Sequence, residues 1–318
     1  MTADRARKKR VRARMSRTGE SYTAALRHLR SAEGDDVPTT DTTPAPSLRL
    51  AVAQTTLRTD PADAAAIRAG AREVLALMRE ARARGADLLQ LPEATLCFPD
   101  KRLLSRSREE ITDADWSRLA WDELDRAVAA IRAGARELSL RTVLGVQTRA
   151  AGAPRPRTSL LVIGPDGAIE AQYDERRLSR TKEAHLYERG HAQVTIDVGG
   201  IRLGLASGLE VLFGDVFLGY EDAGADAVLV SCQAPADADA SYGLVISALA
   251  MARQHGLSIG WSASTASAEH APSGIVGPDG RWAATCPEQE RPAVVVHEIG
   301  ARPEGGPRAW RRAMVAAD

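Results

Sequence analysis

From Leu48 onward, short, wholly apolar runs alternate with segments whose apolar residues recur every three to four positions. That alternation admits few folds, because helices placed between strands require crossover connections and a sheet covered on its faces. LRLAVAQ (48–54) reads as a buried strand. Pro61–Gly85 reads as a helix, opened by Pro61 after Asp60 and striped by Ile67, Ala71, Val74, Leu75 and Met78. DLLQLPE (87–93) is a strand ending in a carboxylate, and Asp115–Leu138 a second long helix striped by Leu119, Leu124, Ala127, Ile131 and Ala135. TVLGVQT (142–148) and TSLLVI (158–163) follow as strands. The turn GPDG (164–167) then leads into IEAQYDERRL. VTIDV and IRLGLA flank Gly199-Gly200, a hairpin signal. AVLVSC (227–232), a helix around Ser241–His255 and LSIGWS (257–262) form another strand–helix–strand unit. A hairpin around Gly277–Gly280 and an edge strand AVVVHEI (293–299) complete the pattern. The expectation is a mixed-sheet α/β domain, and two packed sheets with outer helices, a four-layer αββα sandwich, fit the element count.

Residues 1–47 differ from this domain, assigned to 48–318. Residues 5–30 carry ten Lys/Arg against one acid, Glu20. Tyr22, Ala25, Leu26 and Leu29 stand at helical spacing after Ser21 as cap. AEGDDVPTTDTTPAPS has the composition of a flexible tether. A short basic helix plus linker is expected. It reads as a solvated extension or as a weak docking arm for a protein or nucleic acid.

Over the whole chain Lys+Arg and Asp+Glu both count 42, so no global field steers the protein onto nucleic acid or membrane. No apolar run approaches the roughly 20 residues that span a bilayer, and the basic N-terminus has no apolar h-region. Cys97, Cys232 and Cys286 are scattered, without metal spacing, which suits a reducing cytoplasm. The histidines lie at no ligand or triad spacing, so neither metal nor cofactor is expected. Almost all cations are arginine. The lysines are Lys8, Lys9, Lys101 and Lys182, so chemistry needing a lysine inside the folded domain has two to choose from.

The segments LAVAQ, GADLLQLPEATL, YDERRL, E-x3-Y-x-R-G, RLGLASGLEVLFGD, GADAVLVSC and SGIVGPDG, in that order over Leu48–Ile299, resemble the carbon–nitrogen hydrolase (nitrilase/amidase) superfamily. The resemblance implies an αββα sandwich, usually dimerised, needing no cofactor, with a Glu–Lys–Cys triad. In that triad cysteine attacks the amide or nitrile carbon, glutamate moves the proton and lysine holds the developing charge. Carried over position by position, Glu93 in LQLPEAT matches the general base. The family's lysine, in Y-x-K-x-x-L, falls on Glu175 of Tyr173–Leu178. Glu183, Tyr187 and Gly190 pin this register, which gives Glu183 the place of a second glutamate and leaves Lys182 seven residues too late unless a loop rearranges. The family's G-x-x-x-C aligns without a gap on Gly204–Gly208, so Gly208 stands at the nucleophile, beside the pocket candidates Ser207, Leu209 and Glu210.

Two departures in one triad imply a homologue that is inactive as a cysteine amidase and serves as a ligand-binding, scaffold or regulatory protein. The alternative is altered chemistry at a C–N bond or cationic substrate, through water activated by Glu93 and Glu175 or through a relocated nucleophile. Cys232 is the leading relocated thiol, ahead of Cys97 and Cys286, while Ser207 would need a one-residue slip because neighbours on a strand face opposite ways. Paired carboxylates without a lysine raise one pKa or draw a cation between them, so an amine or other cationic ligand is expected beside the family's amide. A homodimer is expected from the family alone.

Overall fold

The computed structural model describes residues 2–18, 22, 45–149, 152–233, 237–302, 310 and 314. The chain divides into two units, Met1–Ala45 and Pro46–Asp318. In the first, a helix α1 spans Thr2–Thr18, within the arginine-rich stretch itself. The helix expected from Ser21 onward and the linker after it lie, apart from Tyr22 and Ala45–Ser47, outside the described residues.

Among the described residues, the second unit holds twelve strands in two six-stranded sheets. The first runs in the order β12-β1-β2-β3-β4-β5, built from β1 (Ser47–Gln54), β2 (Leu88–Gln90), β3 (Arg141–Thr148), β4 (Arg157–Ile163), β5 (Ile169–Asp174) and β12 (Ala293–Gly300). The second is β11-β10-β9-β8-β7-β6, from β6 (Thr195–Val198), β7 (Ile201–Ser207), β8 (Ala227–Ser231), β9 (Ser258–Ser262), β10 (Gly274–Val276) and β11 (Trp282–Thr285). The central pairs β1–β2–β3 and β7–β8–β9 are parallel, as helical crossovers require, and the flanking pairs are antiparallel. The expected edge strand is β12, antiparallel to β1.

Strand periodicity sorts the core into layers. On β1, Leu48, Leu50 and Val52 face the second sheet, where they meet Leu203, Leu205 and Leu229. Ala51 and Ala53 turn the other way, against Ile67, Val74 and Met78 of α2 (Ala64–Ala83) and, with them, α4 (Trp121–Leu138). Behind the second sheet, α5 (Gly214–Asp222) and α6 (Ala238–His255) bury Phe217, Tyr220, Leu244 and Ala248 against Val228 and Val230. Both faces of each sheet are covered, which is why the strands read as continuous apolar runs instead of alternating ones. The four layers are helix, sheet, sheet, helix.

Local departures from the expected boundaries have physical causes. Helix α2 starts at Ala64 because Asp63, not Asp60, caps it by accepting the Ala66 N–H at 2.9 Å. The segment read as one helix from Asp115 is a short 3₁₀ turn, Trp116–Arg118, followed by α4. Elements that were not expected include the one-turn α3 (Lys101–Leu104), α5, and, last, a π-type turn at Lys182–Leu186. The last of these rebuilds the site. No described helix is long and apolar enough to cross a membrane.

Candidate active site

Glu93 follows β2 in a tight turn packed against β3. Gly145 makes this possible: a Cβ there would collide with the Pro92 carbonyl and the Glu93 backbone. The turn is held by Thr95 Oγ1 donating to Pro92 O at 2.7 Å and by the Thr95 N–H donating to Gly145 O at 2.9 Å. Gln233 Nε2 donates to Glu93 O at 2.6 Å. Ala94 takes a left-handed φ of 44°, a conformation costly for a residue with a Cβ and typical of positions held by function. The Glu93 side chain is thereby buried and aimed between the sheets' ends.

Lys182 meets it there. The Tyr187 N–H reaches back five residues to the Lys182 carbonyl at 2.9 Å, and this wide turn points the Lys182 side chain inward. Its ammonium donates to Glu93 Oε1 at 2.5 Å and to Glu175 Oε2 at 2.6 Å, all three side chains being buried. The expectation that the site lacks a lysine is therefore corrected. The sequence pattern put Glu175 at the family's lysine, and the structure brings the Lys182 ammonium against that glutamate and Glu93. Glu183, aligned with a second glutamate, is exposed and pairs with Arg189 at 3.5 Å, away from the site. A π turn offsets the side chains by one extra residue per turn, so counting along the sequence put the wrong neighbour inward. The signal available was scarcity, with Lys182 one of two lysines in the domain.

Gly208 closes the constellation. It lies where β7 ends and a short 3₁₀ turn (Gly208–Leu212) begins, with a left-handed φ of 56°. A Cβ at this position would stand 2.6 Å from Glu175 Oε1 and 3.1 Å from Lys182 Nζ. Glycine is thus favoured twice, by a backbone angle that costs other residues strain and by the carboxyl occupying the side chain's room. Glu93, Glu175, Lys182 and Gly208 converge on one spot.

Glu210 is not a pocket residue but a strut. Its carboxylate accepts from Tyr173 Oη at 2.5 Å, Ser207 N at 2.8 Å, Arg176 N at 2.8 Å and Arg177 N at 3.1 Å. It thereby ties the segment after β5, which carries Glu175, to the turn that carries Gly208. Ser207 is fully buried and does not reach the cavity surface, in keeping with strand alternation.

The charges sort themselves around Lys182. Burial pulls the lysine's pKa down, but the Coulomb attraction and hydrogen bonds of Glu175 and Glu93 outweigh it and hold the ammonium above the ordinary lysine range. Burial drives Glu175 up to about 8, against the pull of Lys182 and with repulsion from Glu93 and Glu210 added. Glu175 is thereby biased toward its protonated form. Lys182 donates to Glu175 Oε2, while Oε1, without a hydrogen-bond partner, faces the place of the missing side chain. The cation expected between the two carboxylates is built into the chain.

A cavity of about 540 Å³ opens onto this cluster, its floor formed by Glu93, Lys182, Gly208 and Cys232. Leu209 forms part of its wall and Phe213 is 40% exposed, so neither plugs it. Cys232 ends the segment after β8. Burial first, then Glu93, raise its pKa well above the ordinary thiol value, so it stands as a neutral thiol, a poor nucleophile. Cys97 and Cys286 are buried away from the cavity, each pushed up to about 12 mainly by burial. Among the described residues no group of three or more His, Cys, Asp or Glu side chains is placed to hold a metal ion.

Comparison with known proteins agrees with this architecture. The family model for carbon–nitrogen hydrolase matches residues 49–301. The chain belongs to the carbon–nitrogen hydrolase family. No curated protein sequence shows a significant match. Among solved structures, the chain is similar to a mutant of an amidase of the nitrilase superfamily from Nesterenkonia AN1, with TM-score 0.67, 19% identity, and 86% of this chain and 97% of that one covered. It is similar to the C. elegans NitFhit protein, with TM-score 0.66, 19% identity, and 81% and 61% covered. Similarity also extends to a glutamine-dependent NAD+ synthetase from Acinetobacter baumannii, with TM-score 0.64, 15% identity, and 82% of this chain and 48% of that one covered. This carbon–nitrogen hydrolase domain thus spans about half of the synthetase. At these identities the likeness is one of fold.

Proposed function

We propose that this carbon–nitrogen hydrolase homologue binds a small molecule in the cavity over Glu93, Lys182 and Gly208 and does not turn it over as a cysteine amidase, acting as a ligand-binding regulatory or scaffold protein. One observation carries the reading. Where the family keeps its sulfur, this chain has no side chain, and the room a Cβ would need is taken by Glu175 Oε1 at 2.6 Å. The two departures are a single steric exchange: a carboxyl moved in where a nucleophile left. The general-base position and an ammonium are retained and the cavity is open, so binding chemistry survives without the covalent step. A homodimer in the cytoplasm is part of the proposal. Its support is an apolar set exposed on neighbouring elements, Leu218 on α5 and Tyr242 and Ile246 on α6.

The competing reading, altered chemistry through water held by Glu93 and Glu175 or through Cys232, rests on two buried carboxyls meeting at Lys182, with that of Glu175 raised by burial, an arrangement that suits acid–base work. Steady-state assays with an amide panel distinguish the two. The proposal expects no turnover by the wild-type protein. It further expects Gly208→Cys alone to stay inactive, because its Cβ meets Glu175, and Gly208→Cys combined with Glu175→Ala to gain measurable amidase activity using the resident Lys182. Wild-type turnover abolished by Glu93→Gln or Cys232→Ala would overturn the proposal.

A further inference from the structure

The positive charge of this chain is gathered around α1. Residues 1–30 carry ten Lys/Arg against Asp4 and Glu20, and because the whole chain is balanced, the remainder is acidic in excess. The apolar side chains of the helix are already packed: Val11 is fully buried, and Met15, one turn on, is half-buried. Lys8, Lys9, Arg10, Arg12 and Arg17 are exposed, with only Ala13 and Ser16 exposed between them. No acidic residue interrupts the stretch from Lys8 to Arg17. At 1.5 Å per residue those cations extend over about 14 Å of helix axis. A nucleic-acid duplex presents about eight phosphates over an equal length of its own axis.

We propose that α1 is a nucleic-acid-binding helix, which holds the phosphate backbone of a duplex without reading its sequence. A row of exposed cations free of acids displaces the counterions condensed on such a backbone, and that release drives the binding. Contacts to phosphates position a protein but carry no sequence information. Two other anionic partners fit the helix less well. A specific protein interface closes around a buried apolar core, and the exposed surface from Lys8 to Arg17 offers no apolar side chain larger than that of Ala13. A helix lying on a membrane sinks an apolar face into the headgroups, but Val11 is already buried in the protein. The inference is independent of the cavity and of the ligand-binding reading.

Fluorescence anisotropy of short labelled DNA duplexes, titrated with the full chain at salt concentrations from about 50 to 200 mM, tests this. The logarithm of the affinity is expected to fall against the logarithm of salt concentration with a slope of about −4. A variant combining Lys9→Gln, Arg12→Gln and Arg17→Gln keeps good helix formers in place. Its slope should be shallower by about 3, with at least about tenfold weaker binding at the lowest salt. AT-rich and GC-rich duplexes should differ by less than about fivefold, the discrimination that reading a single base pair supplies. No binding at about 50 mM salt, or a slope that the variant leaves unchanged, would overturn the inference. So would displacement of the labelled duplex by polyglutamate, or by phosphatidylglycerol vesicles, as readily as by unlabelled duplex of equal total charge.

Discussion

At the scale of single residues, the site turns on the burial-raised carboxyl of Glu175 beside Lys182. Glu175 has an ordinary value of 4.5 in the unfolded chain and about 8 when folded. Between those limits the unfolded chain loses this proton while the folded protein keeps it, so the contribution of Glu175 to stability falls as pH rises from 4.5 to 8. Glu175→Gln removes that dependence. Urea unfolding at pH 5 and pH 8.5 should show the wild type losing stability relative to Glu175→Gln by about tenfold or more in the unfolding constant. Parallel pH profiles of the two proteins would mean that Glu175 is ionised throughout. Lys182→Met tests the opposite partner. Leaving Glu93 buried without its counter-ion should cost about 3–5 kcal/mol, read as a fall in the urea midpoint and partly restored by adding Glu93→Gln.

At the scale of elements, the informative pieces are the two turns that meet at the site. Glu210 accepts four donors that span the segment after β5 and the turn after β7, so it sets the distance between Glu175 and Gly208. Glu210→Ala strands those buried donors and should destabilise the protein by about 3–5 kcal/mol. The conservative Glu210→Gln retains the acceptor oxygens in part and should lose less, a contrast that thermal unfolding of the two variants would read directly. The strands and long helices were legible in the sequence because burial on both faces writes continuous apolar runs, and one-sided burial writes a helical stripe. Glu93 and Gly208 were legible because each sits at the end of such a strand, where register is pinned by the pleat. Lys182 was not, because a π turn breaks the count between the last pinned residue, Tyr173, and the next, Tyr187. Glu183 and Glu210 were misplaced for related reasons: the first by that same offset, the second because a carboxylate saturated by backbone donors looks in sequence like any acidic residue near a pocket.

At the scale of the whole molecule, three exposed apolar side chains stand on the helices behind the second sheet. Tyr242 is 59% exposed and Ile246 44%, one helical turn apart on α6, with Leu218 on α5 at 48%. If two copies meet across this face, light scattering coupled to size exclusion should give twice the chain mass, and Tyr242→Glu with Ile246→Glu should reduce it to one. A wild-type monomer would refute the dimer without touching the cavity. The fold itself supplies what the site needs in either state. The two sheets end together, so that the turn after β2, the turn after β7 and the segment after β8 bring Glu93, Gly208 and Cys232 to one floor.

Intact-protein mass spectrometry after incubation with reactive amides reads the covalent step itself, on the wild-type chain and on Gly208→Cys with Glu175→Ala. A mass increase equal to one acyl group, mapping to residue 208 of the double variant alone, is the predicted result. An acyl group on the wild-type chain at Cys232 would contradict it, for a working thiol would then exist where only a buried, protonated one is described.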